Sequence, residues 1–343
     1  MIKDFFVRNR TFCILLSIGL FLVLICGWWL FGSSFSGVGE SRLIYIDQDD
    51  DIDSVMEKVE VVEPGQTLGF RITCQLRGYS DRIRTGCYEI SPDVSSYRLA
   101  TNLARGLQTP VRITLPSTWT KEMVAGRMAR KLMTDSASIA EALNDPELCA
   151  TYGLDTATIA TLMIAETYEI YWNITPRKLI DRLKKESDAF WTPERKAKAK
   201  SLNMSPVQVY ILASIVDAET AADAEKPIVA GLYLNRLNKG MLLQADPTVK
   251  FALHDFSLRR IYGYMLSTPS PYNTYLNRGL PPGPIRIPQV SSIDAVLNHK
   301  VHDYIYMCAN SDFSGTHAFA ATYSEHLANA ARYVRALNER GIR

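Results

Sequence analysis

The feature that most constrains this chain is a long uncharged segment near its N-terminus. No charged residue occurs in residues 11–39, and the apolar part, residues 11–31, reads TFCILLSIGLFLVLICGWWLF. A helix of about 20 apolar residues, rising about 1.5 Å per residue, crosses the ~30 Å hydrocarbon core of a bilayer. The segment has no polar face, which a helix packed on a soluble core usually has. The sequence therefore predicts one transmembrane helix over residues 11–32.

The charges on either side of this segment predict its orientation. Lys3, Arg8 and Arg10 precede it, and a cluster of aspartates follows within residues 47–53. Positive charges flanking a span stay on the cytoplasmic side. We therefore expect residues 1–10 to form a cytoplasmic tail. The rest of the chain is then extracytoplasmic (periplasmic), anchored by a single pass through the inner (plasma) membrane.

Two other interpretations of the apolar segment remain open. A cleaved signal peptide usually has an apolar region of only about 7–15 residues, shorter than this one. A lipoprotein site at Cys26 is disfavoured by Ile25, because a small residue is expected before a lipidated cysteine. Trp28 and Trp29 lie where the aromatic belt of an outer membrane–water interface belongs, which favours a retained anchor.

The charge balance and the cysteine and histidine content exclude several classes of function. The chain has 38 Lys and Arg against 36 Asp and Glu, a net charge of +2, so no nucleic acid is expected as a partner. The six cysteines form no CxxC pair and the five histidines no HExxH motif, so no metal site is predicted. The sequence also contains no GxSxG nucleophile elbow and no Walker A loop.

The residues that follow the membrane segment predict a small α+β module. Residues 33–42 are rich in Gly and Ser and read as a flexible tether. The predicted elements are short: strands at 43–46, 86–90 and 111–115, helices at 52–61 and 97–106, and residues 67–75 as helical or extended. Cys74 and Cys87 flank a polar segment that could be a hairpin connection. They could pair in an oxidising compartment, or be small buried hydrophobes.

The larger remainder, from residue 117, predicts helices followed by a hairpin. The predicted helices and strands are helices 118–132, 135–143 and 176–190, hairpin strands 304–309 and 317–323, and a closing helix 324–339. The lysine-rich run 195–200 predicts a solvated helix face better than a site for a polyanion. Strands and helices that are segregated in this way make the fold class α+β.

One helix places a carboxylate on the side that faces the core. Ser205 and Pro206 are a helix start, and the apolar stripe through Ile211 and Ile215 continues to Glu219 at the last turn. Burial and the negative end of the helix dipole both raise the pKa of such a carboxyl, which a general acid requires. Asp217 should point away. The alternative is a structural glutamate paired with an arginine such as Arg236.

A second candidate feature is the proline-rich segment 268–288, which has six prolines in 21 residues. It is stiff and extended, and it carries Tyr272, Asn273, Thr274 and Tyr275. Aromatic rings pack on the apolar faces of sugars and amides bind their hydroxyl groups, so the segment suits a sugar site. The alternative is a strap that only closes the domain. His317 begins the last strand, where a lone histidine is more often structural.

The order of the motifs carries a resemblance to a known family. IVDAET, NRL, LLQADPTVKFAL, PSPYNTY, GLPPGPI and THAF follow one another in this sequence. In this order they resemble the MltG (YceG-like) endolytic murein transglycosylases, most strongly over residues 212–323. GCYEISPD and the helix after it resemble that family's LysM-like subdomain. The resemblance implies a cytoplasmic tail 1–10, a transmembrane helix 11–32, a LysM-like α+β module 33–116 and a larger mixed α/β catalytic domain 117–343.

The resemblance also implies the roles of individual residues. Glu219, the last acid of IVDAET, corresponds to the family's catalytic glutamate. The residues implied to bind substrate are Gln244, Asp246, Thr248, Tyr272, Asn273, Thr274, Tyr275 and His317. The chain departs from the family in two places: the family usually has Glu at Asp217, and Pro-Asp-Thr-Tyr at residues 165–168.

The implied reaction is the non-hydrolytic cleavage of peptidoglycan strands. Glycoside hydrolases usually use two carboxylates, whereas a lytic transglycosylase can work with one and needs no cofactor. Glu219 would protonate the oxygen between MurNAc and GlcNAc, then accept the proton of the MurNAc C6 hydroxyl as a 1,6-anhydro ring closes. Acting near the membrane, such an enzyme would terminate nascent strands, with a peptidoglycan synthase as a candidate partner. The alternatives are a hydrolase with Asp246 as second carboxylate, and a non-catalytic peptidoglycan-binding scaffold of the elongation or division machinery.

Overall fold

The structure, a computed structural model, describes residues 10–31, 35–65, 67–258 and 260–341. The residues before Arg10, which include Lys3 and Arg8 of the predicted cytoplasmic tail, lie outside the described residues, as do residues 33–34 of the predicted tether. The chain divides into two compact units. The first comprises residues up to Arg112 together with Glu169–Ile174, and the second comprises Ile113–Tyr168 and Thr175–Arg343.

The N-terminal helix α1 (Arg10–Phe31) has the length and surface of a membrane anchor. Among the described residues it is the one helix that is long and apolar enough to cross a bilayer. Its large apolar side chains face outward, with Leu15 64% and Val23 67% exposed. In water such a surface would be unfavourable, whereas lipid tails would cover it. The helix is therefore consistent with a single-pass anchor.

The first unit contains a two-stranded sheet with helices around it. Its elements are β1 (Arg42–Ile46), α2 (Ile52–Val62), α3 (Thr67–Leu76), β2 (Gly86–Ile90) and α4 (Ser96–Arg105). The predicted elements are thus confirmed within one residue at each end, and residues 67–75 are helical. β1 and β2 pair antiparallel from Arg42↔Ile90 to Ile46↔Gly86. A core of side chains such as Ile46, Val55 and Leu99 fills the unit.

The segment between Cys74 and Cys87 is not a hairpin connection, and that prediction is wrong. Cys74 lies in α3, and Cys87 lies in β2, whose partner strand is β1. Both side chains are buried and both thiols are free. They therefore fit the alternative of small hydrophobes in the core.

The chain passes between the units in β3 (Val111–Thr114) and β4 (Thr167–Ile170), which form a second two-stranded sheet. Between them lie α5 (Lys121–Ala129), α6 (Ser136–Asn144) and α7 (Pro146–Thr151). The helices α8 (Pro176–Phe190) and α9 (Pro193–Ser201) follow β4. In α9 only Ala199 is buried, and Lys198 pairs with Glu194. The lysine-rich run is therefore a solvated helix face, as predicted.

The core of the second unit is built around α10 (Pro206–Glu219). Ser205 and Gln208 form a capping box at its start, and every side chain from Val209 to Asp217 is buried. A helix that is apolar all round must be covered on all sides. It packs against α11 (Lys226–Asn238), α12 (Asp246–Leu253) and α13 (Val290–Leu297). Its last residue, Glu219, therefore emerges from the centre of the unit.

The chain ends in a hairpin and a helix, as predicted. β5 (Tyr306–Ala309) pairs antiparallel with β6 (His317–Ala320), and α14 (Tyr323–Glu339) follows with its own capping box. Over the described residues the fold mixes helices with three two-stranded sheets. The predicted domain boundary at residue 116 and the LysM-like character of the first unit stay predictions.

Candidate active site

Glu219 lies in the wall of a cavity of about 770 Å³ in the second unit. The cavity brings together residues from α10, α11, α12, the proline-rich segment and the C-terminal hairpin. Of the residues predicted for the site, it is lined by Glu219, Gln244, Asp246, Tyr275 and His317. These five are separated by up to 98 positions in sequence, and the packing of the helices around α10 brings them together.

The environment of Glu219 favours a protonated carboxyl. The side chain is partly buried, and the hydroxyl of Tyr233 donates a hydrogen bond of 2.5 Å to its Oε1. The pKa of Glu219 is raised from 4.5 to about 7, and burial is the largest cause. The hydrogen bond from Tyr233 and the nearby His317 and Lys250 work against this rise, whereas the charge of Asp246 adds to it. A carboxyl with a pKa near 7 can both give and take a proton at neutral pH.

Arg236 does not neutralise Glu219, so the ion pair considered from the sequence is not formed. Its guanidinium is buried and donates instead to backbone carbonyl oxygens, 2.6 Å from that of Ile305 and 2.8 Å from that of Leu243. These bonds join α11 to the segments before β5 and before α12, and both segments lead into residues that line the cavity. Arg236 therefore shapes the cavity, and the carboxyl of Glu219 keeps a neutral partner, Tyr233.

Asp217 belongs to a separate buried network on the other side of the helix end. Its Oδ1 accepts from the hydroxyl of Ser292 at 2.5 Å and lies 3.4 Å from the Nζ of Lys226. Its Oδ2 accepts from the hydroxyl of Ser117 at 2.8 Å and forms a salt bridge with Arg286, whose Nε is 3.0 Å away. Asp217 does not line the cavity, as predicted from the helix register. The network fixes the end of α10 and hence the position of Glu219.

The turn before α12 presents polar groups to the cavity. Gln244 has a left-handed backbone (φ 50°), and Asp246 is the first residue of α12. Both side chains are exposed toward the cavity. The hydroxyl of Tyr275 donates to Oδ1 of Asp246 at 2.6 Å. Burial, and then the neighbouring Asp246, raise the pKa of Tyr275 far above its usual value, so its phenol stays a donor.

Three residues predicted to bind substrate lie behind the cavity wall and not in it. Thr248, Asn273 and Thr274 are fully buried and do not line the cavity. The hydroxyls of Thr248 and Thr274 are 2.9 Å apart, and Asn273 donates to the carbonyl oxygens of Leu266 and Thr268. The contact between Thr248 and Thr274 fastens the proline-rich segment to α12, and the bonds of Asn273 hold the segment's own turn to the residues just before it. Here the segment acts as the strap that the sequence also allowed.

Tyr272 lines a different cavity. That cavity has a volume of about 660 Å³ and an aromatic wall of Trp119, Phe251, Phe256 and Tyr272. The ring of Tyr272 lies 4.7 Å from that of Phe251 between centroids. Tyr272 and Tyr275 are only three positions apart, yet they line two different cavities. The sequence PYNTY does not indicate this.

Sequence reasoning missed Glu225, which holds His317. Glu225 is buried, and its carboxylate accepts from the backbone N–H of His317 at 2.6 Å and lies 2.9 Å from its Nδ1. Because a carboxylate can only accept, Nδ1 carries the proton and Nε2 is left for the cavity that His317 lines. Glu225 precedes the first residue of α11, where the helix dipole favours a negative charge. A glutamate at the start of a helix is ordinary, so no signal in the sequence pointed to this contact.

The cavity also contains positive charge that the sequence analysis did not assign. Lys250 and Arg260 line it, and within the described ranges neither forms a salt bridge, although Lys250 lies close enough to Glu219 to lower its pKa. The lining residues that were not anticipated also include aromatic and histidine side chains from the C-terminal elements: Tyr306, Tyr323, His326 and Tyr333. In the part of the chain that the structure describes, no group of three or more His, Cys, Asp or Glu is arranged to hold a metal ion.

The fold and the cavity together define a class of site. A single carboxyl with a pKa near 7, held by a tyrosine and surrounded by polar, cationic and aromatic groups, is an acid–base site for a polar substrate. The second carboxylate of the cavity, Asp246, has Tyr275 as its partner. A histidine oriented by Glu225 completes the set of groups that can handle protons.

Comparison with known proteins identifies the family. The YceG-like family matches residues 44–332, and the chain belongs to this family. An endolytic murein transglycosylase of Streptococcus pneumoniae serotype 2 (strain D39) is 25% identical over 83% of this chain and 56% of its own length. One from Bacillus subtilis (strain 168) is 37% identical over 42% of this chain and 39% of its own. This chain therefore spans about half the length, or less, of these curated relatives.

A solved structure shares the fold. The crystal structure of a YceG-like protein from Listeria monocytogenes is similar with a TM-score of 0.56 and 24% sequence identity. The match covers 84% of this chain and 99% of that one. At this identity the similarity concerns the fold alone.

Proposed function

We propose that this chain is a membrane-anchored endolytic lytic transglycosylase that cleaves the MurNAc–GlcNAc bond of nascent peptidoglycan and leaves 1,6-anhydroMurNAc ends. The observation that carries the proposal is the carboxyl of Glu219, with a pKa of about 7 in the wall of a large polar cavity. Membership of the YceG-like family and relatives named endolytic murein transglycosylases support the reaction class.

Glu219 acts first as acid and then as base. Its proton goes to the glycosidic oxygen, and the bond from that oxygen to C1 of MurNAc breaks. The C6 hydroxyl of the same sugar then attacks C1, and the carboxylate of Glu219 takes the hydroxyl proton. A pKa near the working pH suits both steps. Tyr233 holds the carboxyl through Oε1, so that the other oxygen, Oε2, is presented to the sugar.

His317 positions the sugar beside Glu219. Glu225 fixes the ring through Nδ1, and Nε2 accepts a hydrogen bond from a hydroxyl or acetamido group of the substrate. Gln244, Asp246 and Tyr275 contribute further hydrogen-bonding groups to the same cavity. Glu225 does not touch the substrate and is a positioning residue.

The cationic side of the cavity suits the peptide part of peptidoglycan. Lys250 and Arg260 form no salt bridge within the described residues, and stem peptides end in carboxylates. Charge-assisted hydrogen bonds to such carboxylates are roughly twice as strong as neutral ones. We therefore propose that these two side chains bind stem peptides.

A hydrolase is the second candidate, and Asp246 is the observation that favours it. Asp246 lines the cavity and acts electrostatically on Glu219, raising its pKa. A hydrolase would use Asp246 to activate water and would leave reducing ends. Against this assignment, one carboxylate oxygen of Asp246 already accepts from Tyr275.

Product analysis separates these functions from each other and from a non-catalytic scaffold. Purified sacculi are digested with the full-length protein, and the strand ends are identified by mass spectrometry. We expect anhydro ends from the wild type, none from Glu219→Gln, and anhydro ends at a lower rate from Asp246→Asn. Glu141→Gln, an exposed glutamate on α6, is the matched control and should behave as the wild type.

The other outcomes identify the alternatives. Reducing ends that disappear in both the Glu219 and the Asp246 variants would establish the hydrolase. A wild type that binds sacculi and releases nothing would establish the scaffold. Anhydro ends that persist in Glu219→Gln would refute the assignment of the acid.

We also propose the topology and the partners. A cytoplasmic tail 1–10 and a span 11–32 place a LysM-like module 33–116 and a catalytic domain 117–343 outside the inner (plasma) membrane, where the enzyme would terminate strands made by a peptidoglycan synthase. The exposed apolar surface of α1 and the small α+β unit after it support this arrangement. A C-terminal reporter that is active only outside the cytoplasm tests the orientation. An active cytoplasmic reporter at the same position would contradict it.

A further inference from the structure

Two tyrosines are exposed beside the cavity of Glu219. Tyr262 and Tyr264 are 51% and 75% exposed, and their rings stack with centroids 6.1 Å apart and planes 10° from parallel. They directly follow Arg260 and Ile261, which line the cavity. Tyr264 is three residues beyond Ile261, at most about 10 Å along the chain. The stacked pair therefore lies near the cavity rim.

Burial in the core does not account for these two rings. The 3₁₀ helix Gly263–Ser267, which carries Tyr264, has no buried residue. The guanidinium of Arg260 lies 5.7 Å from the ring centroid of Tyr262, a cation–π contact that orients this ring. Large apolar side chains that stay exposed side by side indicate a surface that binds something.

The geometry of the pair suits a sugar ring. Stacked aromatic rings offer a flat face to the apolar face of a pyranose, and the two hydroxyl groups at their tips can bond to sugar hydroxyls. Tyrosine has few rotatable bonds, so little conformational entropy is lost on binding. The cation of Arg260 beside the pair suits a sugar chain that carries acidic peptides.

We propose that Tyr262 and Tyr264 form a saccharide platform, a binding subsite for the part of a peptidoglycan strand that lies beyond the cleaved bond. The inference rests on the proposed function, because an enzyme that cuts within a strand binds sugars on both sides of the bond, and the strand leaves the cavity over its rim. The platform would make affinity depend on strand length.

Binding of strands of defined length tests the platform. The full-length Glu219→Gln protein in detergent binds peptidoglycan oligosaccharides of increasing length without cutting them, and affinity is measured by calorimetry. Tyr264→Ala should lower the ratio of long-strand to short-strand affinity about threefold to tenfold, the range typical of one aromatic contact. Tyr264→Phe keeps the ring and should keep most of the ratio. Tyr171→Ala, a 55% exposed tyrosine of the first unit, is the matched control.

Each outcome decides between the platform and its competitors. Because Tyr264 is 75% exposed, its removal should leave the melting temperature unchanged, so that an effect on binding is not an effect on folding. The platform is refuted if the affinity ratio is the same in Tyr264→Ala, or if lipid vesicles and not glycan lose affinity, which would identify a membrane-contacting surface. Failure of the proposed function would give a different result. Sacculi digested with the wild type would then contain no anhydro ends that depend on Glu219, and substitution of Tyr264 would not affect this result.

Discussion

The unusual pKa of Glu219 predicts that its replacement by glutamine stabilises the folded protein in a pH-dependent way. Between pH 4.5 and about 7 the folded state holds a proton on this carboxyl that the unfolded state has released. The unfolded state then binds fewer protons, so stability falls as pH rises through this window. The pKa difference between the folded and unfolded states corresponds to about 3 kcal/mol of stability. None of this stability is lost below pH 4.5, and all of it is lost above pH 7. Glu219→Gln imitates the protonated acid and escapes this loss.

Denaturation at several pH values measures the effect. Full-length wild type and Glu219→Gln are unfolded in detergent by heat or urea between pH 4 and pH 8. The free energy of unfolding of Glu219→Gln should equal that of the wild type at pH 4 and exceed it by about 3 kcal/mol at pH 8. For a domain of 150–250 residues this corresponds to a melting temperature higher by about 6–12 °C. Glu141→Gln, on the exposed face of α6, controls for the loss of one charge. A difference that is independent of pH, or a variant less stable at pH 8, would refute the burial of a protonated carboxyl.

Four further predictions concern the groups around Glu219. Since the acid must be protonated, kcat/KM for strand cleavage should fall about tenfold per pH unit above pH 7, and a flat profile from pH 6 to 9 would exclude it as general acid. Tyr233→Phe removes the hydrogen bond that lowers the pKa of Glu219, so the alkaline limb of the same profile should move to higher pH; a move to lower pH contradicts the assignment. Glu225→Gln should slow cleavage at least about tenfold by releasing His317, and because the two act as one unit, adding His317→Ala should cost little more; additive losses in this double-mutant cycle would show independent roles. Lys226→Met should lower the free energy of unfolding by about 3 kcal/mol in urea titrations, because it leaves a buried carboxylate short of a cation, and an unchanged midpoint would show that the pair is energetically neutral.

Much of the local structure could be predicted from the sequence because the relevant signals are local. The capping residue and the proline at the first turn predicted the start of α10. The predicted helix 97–106 ends within one residue of α4, because Gly106 adopts the left-handed backbone that terminates the helix. The hairpin at Tyr306–Ala309 and His317–Ala320 follows from alternation about a turn. The pairing of β1 with β2 was not predicted, because 39 residues separate their facing ends and only tertiary packing selects the partner.

The site was harder to predict than the fold, because a sequence motif does not show in which direction each of its side chains points. Tyr275 and Thr274 are adjacent, yet one lines the cavity and the other is buried against Thr248. The family resemblance implied substrate contact for both. Glu225 carried no motif and sits where a helix cap is ordinary, so its bond to His317, 92 positions away, appears only in three dimensions.

Under the proposed function, two acids in one motif at the end of α10 have different roles, and their surroundings differ accordingly. Asp217 and Glu219 are two residues apart, which places them on different sides of the helix. Asp217 has two cations and two hydroxyl groups as partners, whereas Glu219 has one neutral hydroxyl. Ion pairing suits the first carboxylate to the role of an anchor, and burial without a salt bridge raises the pKa of the second, which suits it to the role of an acid. The anchor needs only to reach its partners, so aspartate suffices at a position where the family usually has glutamate. The raised pKa of Glu219 depends on the lack of a salt bridge, and Arg236, which lines the same cavity, donates to backbone carbonyl oxygens instead.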